Sequence, residues 1–583
     1  MLTQSSIPYG VSRFTAIREG GLYYVDKTAY IRRLEERAKF VFFVRPRRFG
    51  KSLFIDTLRA YYDIAEKPNF ARYFGGLAIG RNPTAEANSY QVLVLDFSRV
   101  ALEAGDSWQS KFESYMDSRL REFLGRYHEF YASADFAGLR AGSLFSRVID
   151  CARSGGAKLY LVIDEYDNFT NELVAGDGRS EYLEITHRTG FYRAWFKGFK
   201  GSFDRIFMTG VSPVTMDDLT SGFNIATNIS ANENFNAMLG FTADEVKTLL
   251  AAFHGAGRFT GEIERHFRTM EKWYDGYVFS RASIGREHVF NSDMVLYYLS
   301  ELVDTGRAPE KPVDGNIRSD WAKLRLILSP QHSAETELGA LPLTEELAER
   351  GEAAFELVDS FPIERITDCA NFKSLYYYYG IVTMGSVYRG ELHFRVPNEC
   401  VKRQIFDFMR EEYARRGSAV DEGEFSALFS AFAWDGEFRP LFEYLAARFK
   451  SCGSSRDGVN SEPLLNGFMR SYLMMKSVYL ARPEFELNGR FADYAFFPDL
   501  SLDANSRPAH SYVIELKHVP ANAAPSRFAA NHAEALAQLE AYSAAPALES
   551  FAAGTRVHFL DIEFRGRDMI RCDEVEFPRG RLS

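Results

Sequence analysis

Apolar residues along the chain form short continuous runs separated by stretches with helical spacing. The run at 40–44 (FVFFV) precedes RPRRFGKS and an amphipathic stretch from Leu53 to Tyr62, an order that predicts a strand, a loop and a helix. Similar runs occupy residues 159–163 and 205–210. Buried strands that alternate with helices are typical of a parallel sheet. We therefore expect an α/β fold in the first part of the chain.

The pattern changes twice further along. Thr242 and Glu245 form a capping-box signature ahead of a periodic apolar run, and helical spacing dominates the middle of the chain. The polar segment 451–463 is typical of a loop, after which the pattern predicts a helix, two strands and another helix. The predicted division is an α/β domain at 1–240, a helical middle region at 241–410 and an α+β domain at 411–583.

Charge, apolar runs and cysteine spacing exclude several classes of protein. Among 583 residues, 69 basic and 79 acidic side chains give a net charge of −10, so any contact with nucleic acid must be local. The longest apolar runs fall far short of the roughly 18 residues that a membrane helix needs, and the N-terminus lacks a signal-peptide pattern. The five cysteines are scattered and form no C-x-x-C pair. We expect a cytoplasmic protein without a membrane segment.

The loop after the first strand matches most of the P-loop pattern G-x-x-x-x-G-K-[ST]. In that pattern, backbone amides surround phosphates, the lysine reaches the β and γ oxygens, and the hydroxyl binds Mg²⁺. The eight positions are Arg45, Pro46, Arg47, Arg48, Phe49, Gly50, Lys51 and Ser52. Arg45 replaces the first glycine, so the match is incomplete, and a chance GKS tripeptide is the alternative.

An acidic pair follows the second buried run, in YLVIDEYDNF. Asp164 would bind the Ser52-bound Mg²⁺ through water, and Glu165 would orient and deprotonate the attacking water. A solvated strand end is the alternative. Together the loop and the pair predict ATP binding and hydrolysis. Ser212, after the third run, is a weaker candidate for contact with the γ-phosphate, and the capping of a turn is an equal interpretation.

A second set of charged residues lies near the C-terminus. Asp493 occurs in GRFADYAFFPD, and Glu515 and Lys517 occur in YVIELKHV. The turn-rich SLDANSRPAHS between them predicts an antiparallel hairpin, in which the even separation of Asp493 and Glu515 puts both carboxylates on one face together with Lys517. Such carboxylates can bind Mg²⁺, or Mn²⁺ in its place, beside a phosphate. A charged outer face is the alternative.

These motifs together resemble bacterial AAA-ATPase-like proteins that carry a PD-(D/E)XK nuclease-like domain at the C-terminus. The similar stretches are FTAIREGGLYYVDKTAYIRRL, FFVRPRRFGKSLFIDTL, LVIDEYDN, MTGVSPV, KWYDGYVF and FRVPNE. The resemblance implies an AAA-type P-loop sheet in the first domain, with the arginine-for-glycine replacement as a family habit. It also implies that residues 24–28 lie close to the nucleotide, although a solvated loop is the default interpretation of Asp26 and Lys27.

For the last domain, the resemblance implies a PD-(D/E)XK fold with catalytic Asp493, Glu515, Lys517 and Gln538. Gln538 and Tyr542 are four residues apart, so they share one helix face after the second strand. Glu462 matches the acidic residue of the fold's first helix and would join Asp493 and Glu515 as a metal ligand. Capping of the helix dipole is an equal interpretation of Glu462.

The expected function is an ATPase coupled to a Mg²⁺-dependent nucleic-acid phosphodiesterase that acts on DNA or RNA. The alternative is a nucleotide-dependent switch whose nuclease-like domain binds nucleic acid or a protein without catalysis. A third interpretation is an assembly protein in which ATP sets the state of a homo-oligomer, although no arginine finger can be assigned. No group of histidines has metal-ligand spacing. His518, next to Lys517, is interpreted as a solvated residue at a strand end, with a position beside the active site as the alternative.

Overall fold

The computed structural model of the protein has two compact units. It describes residues 6–100, 107–168, 190–213, 226–309, 311–314, 340–362, 365–366, 368–415, 417–451, 462–474, 479–488, 490–498, 507–552 and 554–577. One unit comprises residues 1–340 and 352–401, and the other comprises residues 341–351 and 402–583. In this described part of the chain, no helix combines the length and the apolar character needed to cross a membrane.

Helices and strands follow one another along the whole described chain. Up to residue 305 they are α1 Phe14–Glu19, α2 Ala29–Arg37, β1 Phe40–Val44, α3 Lys51–Tyr62, α4 Phe70–Phe74, α5 Ala78–Arg81, β2 Gln91–Asp96, α6 Trp108–Arg126, α7 His128–Tyr131, α8 Ala141–Ser154, β3 Leu159–Asp164, α9 Phe191–Lys200, β4 Arg205–Gly210, β5 Thr227–Asn228, α10 Ala243–Gly255, α11 Ile263–Tyr274 and α12 Ser292–Thr305. From residue 340 they are α13 Ala340–Arg350, β6 Glu352–Ala354, α14 Cys369–Tyr378, β7 Thr383–Tyr388, β8 Glu391–Arg395, α15 Glu399–Arg415, α16 Glu422–Ser430, α17 Arg439–Lys450, α18 Glu462–Leu473, β9 Tyr479–Leu487, β10 Arg490–Pro498, β11 His510–Val519, α19 Pro525–Ser543, α20 Ala547–Ala552, β12 Arg556–Arg565 and β13 Asp568–Glu574.

The first unit contains a parallel sheet of five strands in the order β2-β3-β4-β1-β5. Strand β3 is buried at every position, and β1 and β4 at all but the first. That burial explains why each reads as a continuous apolar run. The predicted α/β fold is therefore confirmed. Because all five strands are parallel, the loops that follow β1 and β3 emerge at the same edge of the sheet.

The middle of the chain is mostly helical but also contains a small sheet. The predicted capping box is confirmed: the hydroxyl of Thr242 accepts from the Glu245 amide, and Glu245 Oε2 accepts from the Thr242 amide at 2.8 Å. The sheet has the order β6-β8-β7 and is antiparallel, which the helical spacing does not predict. Arg389 and Gly390, between β7 and β8, both have positive φ, which is typical of a two-residue hairpin turn. This turn is the local feature that could have indicated the two strands.

The second unit contains a mixed sheet in the order β13-β12-β11-β10-β9. Strands β9, β10 and β11 are antiparallel neighbours, as the predicted hairpin requires, and α19 connects β11 to its parallel neighbour β12. The sequence pattern predicts only two of these strands. Leu539 and Tyr542 of α19 and Leu548 of α20 pack on the sheet in one apolar cluster. The turn of the hairpin and most of segment 451–463 lie outside the described residues.

Candidate functional site

The first candidate site begins where β1 ends. Residues 45–50 turn the chain into α3, and Gly50 caps this helix with φ +91°. A β-carbon at Gly50 would lie 3.8 Å from its nearest neighbour, Ser292 Oγ, so space is not the constraint. The left-handed backbone is the constraint, because side chains disfavour it. Gly50 therefore permits the turn that presents the first amides of α3, where an anion binds best.

Arg45, at the first glycine position of the P-loop pattern, points into the core. Its guanidinium is buried and donates to Ser230 O at 2.7 Å and to Phe235 O at 2.9 Å. The guanidinium carbon also lies 4.2 Å from the ring centre of Phe43 and 4.1 Å from that of Phe279. Burial lowers the pKa of Arg45 to about 9. The arginine thus supports the loop from behind and does not obstruct it.

Lys51 and Ser52 open α3 and face the end of β3. Lys51 Nζ donates to the carbonyl oxygens of Arg45 and Pro46, each at 3.0 Å. Ser52 Oγ donates to Asp164 Oδ2 at 2.6 Å. The structure therefore brings together the hydroxyl and the carboxylate that the sequence assigns to one Mg²⁺.

Burial and neighbouring charges shift the pKa values of the two carboxylates at this site. Burial raises the pKa of Asp164, whereas the hydrogen bond from Ser52 and the charge of Lys51 lower it. Burial also raises the pKa of Glu165, and Lys51 again opposes the shift. A raised pKa suits a carboxylate that must accept a proton near neutral pH. Glu165 has φ +46°, a backbone conformation that non-glycine residues rarely adopt.

A cavity of about 540 Å³ lies in front of the loop, within the size range of small-molecule sites. The predicted nucleotide-binding residues along its wall are Arg47, Arg48, Phe49, Gly50, Lys51 and Ser52, together with the predicted base Glu165. Arg45 and Pro46 do not line it and contribute carbonyl oxygens to Lys51 instead. Tyr24, Val25 and Lys27 do line it, where the family resemblance places them.

No sequence motif predicts one wall of this cavity. Ser292 and Asp293, at the start of α12, line it and contact the loop. Asp293 Oδ2 accepts from Arg48 Nη1 at 2.8 Å, and Ser292 Oγ donates to Arg48 O at 3.2 Å. The only local signal is the helix start at Asn291, whose side chain caps α12. The cap predicts where α12 begins, but it does not predict that the start of this helix contacts Arg48.

The default interpretation of Asp26 and Lys27 as a solvated loop is wrong. Lys27 is buried, and its Nζ donates to Glu245 Oε2 at 2.6 Å. Asp26 accepts from the amides of Thr28 at 2.9 Å and Ala78 at 2.7 Å. Lys27 thus joins the cavity wall to the capping residue of α10, and Asp26 orders the turn before α2.

Ser212, the weaker candidate for contact with a γ-phosphate, lies behind the cavity wall. It is fully buried, and its amide donates to Asp167 Oδ2 at 2.7 Å. Its carbonyl oxygen accepts from the Tyr166 hydroxyl. Ser212 does not line the cavity, so the geometry favours its role in the turn after β4.

The second candidate site lies on β10 and β11. Their antiparallel register has no shift, and its continuation by one residue brings Asp493 opposite Glu515. Asp493 Oδ2 accepts from the Leu516 amide at 2.8 Å. Lys517 Nζ lies 2.9 Å from Glu515 Oε2. The three charged side chains therefore meet on one face of the sheet, as the residue spacing predicts.

Burial controls the charge of this group. Removal from water and the Asp493 carboxylate together raise the pKa of Glu515 to about 7, against the opposing effect of Lys517. Burial also raises the pKa of Asp493, against the Leu516 amide and Lys517. Two buried carboxylates that face each other are stabilised by a shared proton or by a cation. The pair is thus suited to exchange a proton for a metal ion near neutral pH.

Helix α19 covers this pair with a row of side chains one turn apart. Tyr542 donates its hydroxyl to Glu515 Oε1 at 2.9 Å. Glu534 Oε1, two turns earlier, lies 3.9 Å from Lys517 Nζ. Gln538 lies between them on the same helix face, and no described residue donates a hydrogen bond to its buried Oε1. Gln538 is therefore placed on the helix face that contacts the predicted catalytic residues, with its amide oxygen available to accept a hydrogen bond.

Glu462 is the first residue of α18 and interacts with the same group. Partial burial raises its pKa, the Asp493 carboxylate raises it further, and Lys517 lowers it. Glu462 therefore lies within electrostatic reach of Asp493 and Lys517, and its role as a metal ligand stays a prediction. The exposed Arg527 also acts on Glu462, and the exposed Arg490 acts on Tyr542.

The donor atoms at both sites fit hard divalent cations. Asp493 and Glu515 offer carboxylate oxygens, which Mg²⁺ and Mn²⁺ prefer, and Glu462 can add another. At the first site the Ser52 hydroxyl and Asp164 are already paired. Histidine is absent from these donor sets, as expected for Mg²⁺ chemistry.

No sequence motif predicts one further cluster of side chains that could bind a metal ion. His532, Asp561 and Glu563 each bring a ligand atom to within 4.8 Å of the others. They come from α19 and β12, so no short motif contains them. Only one histidine takes part, so histidine spacing in the sequence could not predict this group.

The chain is similar to one curated protein over about half of its length and to two solved structures with low sequence identity and low TM-scores. An uncharacterized protein in the vnfD 5′ region of Azotobacter chroococcum mcd 1 is 26% identical over 286 residues, which cover 47% of this chain and 49% of that protein. The chain thus spans about half the length of this relative. The crystal structure of Cdc6p from Pyrobaculum aerophilum matches with 10% identity and a TM-score of 0.26, covering 70% of this chain and 97% of that chain. The Aeropyrum pernix ORC1 protein in complex with DNA matches with 12% identity and a TM-score of 0.25, covering 66% and 93%.

Two family models match separate parts of the chain. The model described as a predicted AAA-ATPase matches residues 8–220, which include the loop between β1 and α3 and the acidic end of β3. The model of the PD-(D/E)XK nuclease superfamily matches residues 460–574, which include Asp493, Glu515 and Lys517. The chain therefore carries an AAA-ATPase-like domain and, toward its C-terminus, a domain of the PD-(D/E)XK nuclease superfamily.

Proposed function

We propose that this protein binds and hydrolyses ATP and couples that cycle to Mg²⁺-dependent cleavage of phosphodiester bonds in DNA or RNA. The observation that carries the proposal is the meeting of Asp493, Glu515 and Lys517 on one sheet face. The two family matches support it, because they assign an ATPase-like and a nuclease-like domain to one chain.

In the cleavage reaction, Asp493 and Glu515 would bind Mg²⁺ or Mn²⁺, which polarises the scissile phosphate and lowers the pKa of bound water. The Leu516 amide fixes the direction of Asp493, and Tyr542 fixes that of Glu515. Lys517 orients the attacking water and stabilises the charge that develops on the phosphate. The buried Oε1 of Gln538 can accept a hydrogen bond from a water molecule.

In the ATPase reaction, the amides of the loop and of the first turn of α3 bind the phosphates. Lys51 leaves the loop carbonyls and donates to the β and γ oxygens, and Ser52 with Asp164 would bind Mg²⁺. Glu165 orients the attacking water and accepts its proton, for which its raised pKa is suitable.

Substrate contact is expected to be local. The net charge of −10 excludes a basic coat, whereas Arg490 and Arg527 are exposed beside the carboxylate pair. Each arginine can contact one backbone phosphate, so these two contacts should make binding weaken by about 10-fold between about 50 and about 200 mM salt. We include in the proposal the division into 1–240, 241–410 and 411–583, a cytoplasmic location and assembly into a homo-oligomer.

The test is a cleavage assay with labelled single- and double-stranded DNA and RNA, with and without ATP, in Mg²⁺ or Mn²⁺. Asp493→Asn and Lys517→Ala should each abolish cleavage. Matched controls are Asp568→Asn and Lys450→Ala, which break an exposed pair 2.6 Å apart in the same unit and should cleave normally. Persistent cleavage in both site variants would refute the catalytic assignment.

A protein that binds metal but cleaves no substrate would favour the alternative function. In that case the nuclease-like domain is a binding module, and ATP acts as its switch. Substrate binding measured in low salt then replaces cleavage as the readout. Arg527→Ala should weaken that binding, whereas Lys51→Ala should abolish its response to ATP.

A further inference from the structure

A second group of metal-ligating side chains lies one strand away from the proposed cleavage site. His532 projects from α19, and Asp561 and Glu563 project from β12, with one ligand atom of each inside 4.8 Å. Strand β12 is the parallel neighbour of β11, and its register places Asp561 beside Glu515. Neighbouring strands are about 4.8 Å apart, so this group is adjacent to the carboxylate pair but uses different residues.

The two carboxylates of this group are buried and incompletely satisfied. Asp561 has no exposed surface, and its Oδ2 accepts from His532 Nδ1 at 2.6 Å. Its Oδ1 receives no hydrogen bond from any residue that the structure describes. Glu563 is 3% exposed, and its Oε1 lies 3.1 Å from His532 Nδ1 without hydrogen-bond geometry. Buried carboxylate oxygens without donors are costly, so this arrangement favours a cation.

Arg571 of β13 supplies part of that positive charge. Its Nε lies 3.4 Å from Glu563 Oε1 and 4.0 Å from Asp561 Oδ2. One guanidinium against two buried carboxylates leaves a net charge of −1 when the imidazole is neutral. The Arg571 side chain is 32% exposed, so it can turn outward. A divalent cation in its place would neutralise both carboxylates.

We propose that His532, Asp561 and Glu563 bind a divalent transition-metal ion, Zn²⁺ or Mn²⁺, at a site separate from the proposed cleavage metal. One imidazole and two carboxylates favour these ions over Mg²⁺, which prefers oxygen ligands alone. The bound ion would attach α19 to β12. Because Tyr542 on the same helix positions Glu515, the ion would also stabilise the cover of the cleavage site.

The test uses the untagged 583-residue chain, stripped of metal and free of nucleotide. The parent variant carries Asp493→Asn and Glu515→Gln, which remove the proposed ligands of the cleavage metal. Calorimetric titration of this parent with Zn²⁺ and Mn²⁺ should give one site per chain, whereas Mg²⁺ should give none. Zn²⁺ should also raise the unfolding temperature. Adding His532→Ala or Asp561→Asn should weaken metal binding by at least about 10-fold and remove the thermal shift.

Two variants separate metal binding from general damage to the fold. Arg571→Gln removes the competing guanidinium and should tighten Zn²⁺ binding, an effect that misfolding cannot produce. His128→Ala removes an exposed histidine and should change nothing. The proposal is overturned if the parent binds no transition metal, if His532→Ala binds it as the parent does, or if Arg571→Gln leaves the affinity unchanged. The cluster is then a closed ion-pair network. None of these results depends on cleavage activity.

Discussion

The two candidate sites use the same kinds of side chain in opposite ways. Lys51 donates to main-chain oxygens of its own loop, whereas Lys517 contacts the carboxylate of Glu515. The first site is built mainly from eight consecutive residues, because backbone amides that surround a phosphate require one continuous turn. The second uses side chains from α18, β10, β11 and α19, because a metal ion requires ligands that converge from several directions.

The sites also differ in what supports them. Behind the P-loop, Arg45 attaches the loop to buried carbonyl oxygens of residues 230 and 235. Beside the carboxylate pair, support comes from α19 through Tyr542. A change in the first site should therefore leave metal binding at the second site unaltered, and a change in the second site should leave nucleotide binding at the first site unaltered.

Lys51→Ala should produce the largest effect. Loss of a preorganised cation at the developing phosphate charge should lower ATP turnover by about 1000-fold, and nucleotide binding should also weaken. Metal binding at Asp493 and Glu515 should be unchanged, which tests the independence of the two sites. The measurements are steady-state ATPase rates and a Mn²⁺ titration. Lys67→Ala, at an exposed lysine, is the control, and full turnover in Lys51→Ala would eliminate the P-loop interpretation.

Glu165→Gln should separate binding from chemistry within the first site. The amide cannot accept a proton from water, so turnover should fall by about 100-fold. Nucleotide affinity should match that of the native protein, because Lys51 and Ser52 are unaffected. Fluorescent nucleotide binding and ATPase assays on the same preparation provide the comparison. Normal turnover would assign the base to another residue.

The features that the sequence predicts are those that depend on nearby residues, and the features that it does not predict depend on packing between distant elements. The loop, the Asp164-Glu165 pair and the shared face of Asp493 and Glu515 are predictable, because they depend on consecutive residues or on strand alternation. Asp293 and His532 are not, because their neighbours are set by the packing of α12 and α19. The direction of Arg45 also could not be predicted, since the carbonyl oxygens that it contacts lie 185 and 190 residues away along the chain.

Arg45→Gly restores the glycine of the P-loop pattern and should nevertheless be harmful. Removal of the guanidinium leaves buried carbonyl oxygens without donors, at a cost of about 3 kcal/mol in the stability of the first unit. Arg45→Lys should recover only part of this loss, because a single ammonium cannot replace the planar fork. Chemical denaturation measures both effects. Equal stability of Arg45→Gly and the native protein would show that the support behind the loop is dispensable.

The smallest expected effect is a pH dependence of the stability of the second unit, to which Glu515 contributes. The folded pKa of Glu515 is about 7, above the ordinary value of 4.5, so the folded state retains a proton that the unfolded chain loses first. Stability without metal should therefore decrease as pH rises through this interval, by about 2 kcal/mol between pH 5 and pH 8.

Glu515→Gln should flatten this dependence, because its amide does not titrate, whereas Glu540→Gln, at an exposed position of α19, should leave it unchanged. Mn²⁺ should weaken the dependence in the native protein, since the cation replaces the proton between the carboxylates. Denaturation at several pH values measures all three effects. No change of slope in Glu515→Gln would mean that the carboxylate pair does not control charge at this site, and the contrast with the P-loop would then rest on geometry alone.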